Sequence, residues 1–270
     1  MTHSRPAIRN LLDSHGLSPR RELGQNFMVD PNTVRKIAEL SGVSTGDRVV
    51  EIGAGLGSLT LALVERGAHV TAIEYDTGLA SALRAITAAS PEVDVVEADA
   101  MQVDWSSLLN NTPHTLVANL PYNIATPLVC DILEEVPLIT RLVVLVQEEA
   151  ADRFVARPGS KQYGAVTLKV AHFASARKVA HVPPTVFMPR PNVESAVVDI
   201  TRHVSTYSID TEALFAIMKT AFGQRRKMLR RSLDGHVSDE AFAAAGISPE
   251  DRPERIDLQR WYRLVEAMQS

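Results

Sequence analysis

The chain is expected to fold as a doubly wound, mostly parallel α/β sheet of seven strands, followed by a small all-helical region. Three observations lead there. Short apolar runs alternate with amphipathic helical patterns at βαβ spacing through residues 48–146. A glycine-rich turn closes the first of those runs. Residues 205–270 hold helical patterns and no strand pattern.

The elements follow in order. Asp30-Pro31 opens a helix with proline just inside it, running over 31–41 and stopping at Gly42. Arg48–Ile52 reads as the first strand, then Gly53-Ala54-Gly55-Leu56-Gly57 turns into a helix over 58–66. His69–Ile73 is the second strand, closing on Glu74-Tyr75-Asp76 before a helix over 77–88. Val93–Val96 is the third, closing on Asp99. Leu116–Ala118 is the fourth; it ends at Asn119-Leu120-Pro121-Tyr122, ahead of a helix over 125–135. Leu142–Val146 is wholly apolar, as a strand covered on both faces would be. A helix, a loop at Arg157-Pro158-Gly159-Ser160 and a second helix to about 173 come next. Strands near 176–182 and 195–201 complete the sheet, and Gly235, Gly246 and Pro253 break the helices beyond. This divides the chain into residues 1–204, with a basic N-terminal segment, and a helical domain over 205–270.

Composition narrows the class. With 270 residues, 45% hydrophobic and 22% charged, the chain can bury a full core. No apolar run reaches membrane-spanning length, and Met1–Arg9 lacks the apolar block of a secretory signal, so a cytoplasmic protein with no membrane partner is expected. The one cysteine, Cys130, falls among Leu128, Val129, Ile132 and Leu133 in a helical pattern and reads as a packing residue. The histidines have no ligand spacing, so no metal is expected.

A net charge of −4 does not advertise a nucleic-acid binder, but its distribution does. Arg5, Arg9, Arg20 and Arg21 face only Asp13 in the first 21 residues. Arg225-Arg226-Lys227-Met228-Leu229-Arg230-Arg231 packs five cations into seven positions. At about 100° per residue, Arg226, Lys227, Arg230 and Arg231 would share one side of a helix, with Phe222, Leu229 and Leu233 on the other. That side reads as a phosphate-binding ridge.

The chemistry-bearing residues gather at strand ends, where such sheets bind ligands. The G-x-G-x-G turn lets backbone approach a ligand closely, and Glu74, 17 residues past Gly57, suits ribose hydroxyls. A nicotinamide dinucleotide would use the same pair. Two features favour S-adenosylmethionine: Asp99 can accept an adenine amino group, and Asn119 furnishes a site for a methyl acceptor. An Asn oxygen and the Leu120 carbonyl can take the two N–H groups of an exocyclic amine while Tyr122 stacks on its ring. Two acceptors bias the conjugated amine toward a pyramidal, more nucleophilic state in the transition state.

These residues occur with others in a known order. Leu23-Gly24-Gln25-Asn26-Phe27, Glu51-Ile52-Gly53-Ala54-Gly55-Leu56-Gly57, Glu74, Asp99-Ala100 and Asn119-Leu120-Pro121-Tyr122-Asn123 come first. Phe187-Met188-Pro189-Arg190-Pro191-Asn192-Val193-Glu194-Ser195-Ala196 and Ala221-Phe222-Gly223-Gln224-Arg225-Arg226-Lys227 follow. From about residue 8 onward the chain resembles the ribosomal RNA adenine N6,N6-dimethyltransferases, in particular the KsgA/RsmA group acting on small-subunit RNA. The resemblance implies a class I S-adenosylmethionine-dependent methyltransferase, monomeric, acting within an assembling 30S particle. It implies that two adjacent adenosines in a hairpin loop near the 3′ end of the small-subunit RNA are each methylated twice.

The resemblance also distributes roles. Asn26 and Met28 would line the methionine end of the cofactor beside Gly53 and Gly55. Glu74 would hold the ribose, Asp99 the adenine, and Asn119 both methyl donor and target amine. Tyr122 and Phe187 would sandwich the target base, and Arg225, Arg226, Lys227, Arg230 and Arg231 would grip RNA. Three positions depart from the family pattern. Ala54 replaces a common Pro, Met28 a common Leu, and Glu148 a common Lys, the last lowering positive potential locally. Two other readings stay open: a large-subunit adenine dimethyltransferase of the antibiotic-resistance type, and a ribosome-assembly RNA-binding factor whose activity is secondary.

Overall fold

A computed structural model describes residues 2–204 and 208–269; the side chain of Arg21 is outside the described set. The chain forms two compact units. The first runs to Ala151 and adds Ala176–Arg202; the second joins Asp152–Ser175 to the chain from His203 on. The division expected after residue 204 borders residues 205–207, which lie outside the described residues.

In the first unit a helix α1 (Arg5–Ser14) leads to a two-residue strand β1 (Phe27–Met28) and α2 (Pro31–Leu40). Asp30 caps α2, its carboxylate accepting from the Asn32 and Thr33 N–H groups, and Pro31 stands at the first helical position where its missing N–H costs nothing. Then β2 (Arg48–Ile52), α3 (Ser58–Glu65), β3 (His69–Glu74), α4 (Thr77–Ile86), β4 (Val93–Glu97), α5 (Trp105–Leu109), β5 (His114–Asn119), α6 (Ala125–Glu135) and β6 (Ile139–Gln147) alternate. After α7 (Glu148–Phe154) and α8 (Ala165–Phe173) come β7 (Ala174–Val182), the two-residue β8 (Phe187–Met188) and β9 (Ser195–Arg202).

Seven of these strands form one sheet in the order β4-β3-β2-β5-β6-β9-β7. β2 runs parallel to β3 and β5, β3 to β4, and β5 to β6, while β9 is antiparallel to β6. Because β6 lies between β5 and β9, Leu142–Val146 are fully buried, whereas β4 at the edge is only half covered. β1 and β8 form a separate antiparallel pair with Phe27 opposite Met188 and Met28 opposite Phe187.

The expected strands all form, the last two as β7 and β9. Four elements went unanticipated. α1 buries only Ile8 and Leu12, too thin an apolar stripe to stand out in a basic segment. α5 has five residues, and β1 and β8 have no strand-length pattern.

The second unit surrounds Trp261, which is fully buried with Leu214, Leu229, Ile256, Leu264 and Val265. Its helices are α9 (Thr211–Gly223), α10 (Leu229–Ser232), α11 (Asp239–Ala245) and α12 (Leu258–Gln269), along with α8. Asp152–Ser175 belongs here because Tyr163 and Leu168 pack into this core, and the Tyr163 hydroxyl donates to the Ile256 carbonyl at 2.8 Å. One sequence expectation is corrected here. Residues 224–231 do not form a single helix: α9 ends at Gly223, a turn follows, and α10 begins at Leu229. The Leu229 and Arg230 N–H groups donate to the Asp251 and Pro249 carbonyls (2.8 and 2.9 Å), not to carbonyls one helical turn back. Arg226, Lys227, Arg230 and Arg231 therefore do not share a helix face. Among the described residues, no helix is long and apolar enough to cross a membrane.

Candidate active site

The sheet order reverses direction between β2 and β5, and a cavity of about 260 Å³ opens there at the carboxyl ends of the parallel strands. Its walls are the turns after β2, β3, β4 and β5, closed by residues 23–28. Gly53, Gly55 and Gly57 all take left-handed φ (70°, 59° and 77°), which bends the chain from β2 into α3. At Gly55 the reason is also one of space: a Cβ there would lie 3.1 Å from the Phe27 ring.

Of the sequence-predicted residues, Asn26, Met28, Gly53, Gly55, Glu74, Asp99, Asn119 and Tyr122 all line this cavity. Asn119 ends β5, and its side-chain nitrogen donates to the Asn26 carbonyl at 3.0 Å. That bond uses one of the two amide N–H donors and leaves Oδ1 as an acceptor. Asn26 is oriented likewise, its own side-chain nitrogen donating to the Gly24 carbonyl at 3.0 Å. Glu74, buried at the end of β3, accepts from the Gly55 N–H (2.8 Å) and the Asp76 N–H (2.9 Å). Burial raises its pKa against the pull of those two bonds. Asp99 accepts from the Met101 N–H at 2.9 Å and keeps lone pairs for a ligand. Asp76 caps α4 and ties down the rim, meeting the Arg20 guanidinium at 3.1 Å.

One wall residue was not singled out by sequence reasoning. Glu51 is buried at the end of β2 and accepts from the Thr60 hydroxyl at 2.5 Å. Burial, with Glu74 nearby, pushes its pKa up to about 8. It stands at the head of the glycine motif, but strand-end acids are common enough that only the cavity marks it out. The folded state favours the neutral acid, so stability is lost as pH rises from the ordinary carboxyl range toward 8. Glu51→Gln carries no such penalty. Its thermal midpoint is expected to match the parent near pH 5 and to exceed it increasingly toward about pH 8; parallel melting curves across that range would contradict this.

The lining thus holds three acidic side chains, Glu51, Glu74 and Asp99, and no Lys, Arg or His among the described residues. Such a wall suits a cofactor carrying positive charge and polar N–H and O–H groups, and offers no cation to a pyrophosphate. The donor set fits S-adenosylmethionine.

Two expectations are corrected here. Phe187 is not in the cavity wall: it is fully buried in the core beneath, opposite Met28 across the β1–β8 pair. Directly opposed side chains share a face of the ladder, so its ring backs Met28 and forms no sandwich with Tyr122 in this structure. The basic run is also divided. Arg225 is half-buried, donating to the Ser160 carbonyl at 3.2 Å and facing Glu254 at 3.7 Å. Arg230 faces Glu250 at 3.5 Å in solvent. Arg226, Lys227 and Arg231 are exposed, with no partner among the described residues.

A parallel sheet of this order, a glycine turn and acceptors aimed at a strand-end cavity define a class I S-adenosylmethionine-dependent methyltransferase. Comparison with known proteins then narrows the class. The family model described as "Ribosomal RNA adenine dimethylase" matches residues 16–270. The chain belongs to the ribosomal RNA adenine dimethylase family, enzymes that methylate ribosomal RNA with S-adenosylmethionine as donor. It is 45% identical to the ribosomal RNA small subunit methyltransferase A of Cutibacterium acnes over 97% of this chain and 93% of that one. A solved dimethyladenosine transferase from Plasmodium falciparum superposes with a TM-score of 0.73 at 23% identity, covering 87% and 94% of the two chains. The 23S rRNA methyltransferase ErmE does so with a TM-score of 0.70 at 25% identity, covering 90% and 100%.

Proposed function

We propose that this enzyme dimethylates N6 of two adjacent adenosines in a hairpin loop near the 3′ end of small-subunit ribosomal RNA. It acts as a monomer on an assembling 30S particle in the cytoplasm. The observation that carries this reading is Asn119, its amide pinned by Asn26 so that an acceptor oxygen stands beside Tyr122 in an acid-lined cavity.

When bound, S-adenosylmethionine would supply a methyl group on a sulfonium, open to in-line attack by an amine with the neutral thioether as leaving group. The chain's own residues orient and exclude water. Asn26, Met28, Gly53 and Gly55 hold the methionine end, Glu74 the ribose hydroxyls and Asp99 the adenine. The Asn119 oxygen and the Leu120 carbonyl accept the target's N–H groups, which draws the nitrogen lone pair out of conjugation. Tyr122 stacks on the flipped base, and with Phe187 in the core this stacking falls to Tyr122 alone. A single-stranded loop is the least costly place from which to extract that base. No general base is required, because the methylated amine is strongly acidic and loses its proton to solvent.

The helical unit grips phosphates. The bonds from Arg225 to Ser160, from Gly159 to the Glu254 carbonyl and from Leu229 to Asp251 fasten three segments around the basic turn. The exposed Arg157, Lys161, Arg252 and Arg255 on those segments extend the surface beyond the run the sequence marks. Replacing Arg226, Lys227 and Arg231 together with Ala is expected to weaken RNA binding and lower the slope of log K against log salt by about 2, at roughly 0.7 per contact on single strands. Cofactor affinity should stay the same. An unaltered slope would place the phosphate contacts elsewhere.

The reading is tested by methyl transfer to small subunits that lack these methyl groups, with free small-subunit RNA and large subunits alongside. Dimethyladenosine in the 3′ hairpin supports it. Product confined to large-subunit RNA overturns the target, and cofactor binding without transfer to any substrate favours the assembly-factor reading.

A further inference from the structure

Tyr122 lies in the turn between β5 and α6, where backbone hydrogen bonds hold the main chain. The Leu120 N–H donates to the Leu145 carbonyl at 3.1 Å and the Ala125 N–H to the Pro121 carbonyl at 3.0 Å. Neither bond selects among the staggered χ1 positions of the side chain. One contact does: the Tyr122 hydroxyl and Ser195 Oγ are 2.7 Å apart. Ser195 is fully buried at the head of β9, opposite Gln147 in the ladder with β6, and the neighbouring Glu148 N–H donates to the Glu194 carbonyl at 3.0 Å. Its backbone is therefore fixed, and full burial leaves its hydroxyl little room to turn elsewhere. A tyrosine hydroxyl lies on the ring's long axis, so this bond sets where the axis points and leaves rotation about it to packing.

We propose that Ser195 is a positioning residue for methyl transfer, holding the Tyr122 ring at the cavity wall so that the stacked adenine presents its amine in line with the methyl group. This rests on the reading that Tyr122 stacks on the target base. It gives a role to the far end of the Phe187–Ala196 motif, whose first residue serves the core instead. Without the bond the ring samples other χ1 wells, and the base it carries spends less time in reach of the Asn119 oxygen. The cost falls on kcat, since a base already bound is misaligned rather than released.

The experiment is a double-mutant cycle with Tyr122→Phe, which keeps the ring, and Ser195→Ala, each assayed for kcat, RNA KM and cofactor affinity. The proposal expects kcat to fall about five- to tenfold in either single variant, the size of one hydrogen bond. It expects unchanged cofactor affinity and no further loss in the double variant. Full kcat in either single variant, or defects that multiply, would overturn it. If Ser195→Ala does not fold, Tyr122→Phe decides alone, with full kcat counting against the proposal. Tyr122→Ala separates the two layers. Full activity there removes the stacking reading itself, whereas an impaired Ala variant beside a fully active Phe variant removes only the role of Ser195.

Discussion

Asn119→Ala is expected to lower the single-turnover rate of methyl transfer about 100- to 1,000-fold, the usual cost of removing one preorganised polar group aimed at a transition state. The physical basis is orientation. The Asn26 carbonyl takes the amide nitrogen at 3.0 Å, so the acceptor oxygen is in place before substrate arrives. Alanine removes both the acceptor and the link between β5 and residues 24–28. Cofactor affinity should change less than about tenfold, since one neutral hydrogen bond contributes only about 0.5–1.5 kcal/mol. Calorimetric titration beside the rate measurement separates the two effects. A variant that loses cofactor binding and rate in the same proportion would make Asn119 a cofactor residue only.

Tyr122→Ala should lower kcat/KM for RNA about five- to 150-fold, from a stacking energy of roughly 1–3 kcal/mol per base. It will also melt at a lower temperature, because the truncation strands the fully buried Ser195 hydroxyl without its partner. The stability loss is controlled by assaying well below the midpoint. It is also controlled with a fluorescent purine at the target position, whose quenching reports stacking directly. Quenching equal to that of the parent enzyme would show that another group receives the base.

Much of the site could be read along the chain because its parts are local. A glycine turn after a strand, an acid at the end of the next and Asn119 at the end of another are each set by a few neighbouring residues. Parallel alternation then brings those strand ends to one edge, so Gly53, Glu74, Asp99 and Asn119 meet in one cavity as expected. Phe187 could not be placed this way. Its loop is flanked by prolines and suggests an exposed platform, but pairing with Phe27 and Met28, about 160 positions earlier, turns the ring into the core. The basic run misled for a related reason. Helical periodicity assumes that each N–H bonds one turn back, and two of these amides bond to residues 249 and 251 instead.

The order of strands and turns, the family and the residues that reach the strand ends are properties of the sequence alone, because each depends on short-range pattern. Which ring stays at the cavity and which is buried, which arginine is paired and which exposed, and which serine meets the Tyr122 hydroxyl depend on the folded chain. Those outcomes depend on partners such as Met28 for Phe187, Glu254 for Arg225 and Ser195 for Tyr122. Burial and hydrogen bonding are assigned between residues distant along the chain, and no local pattern encodes them.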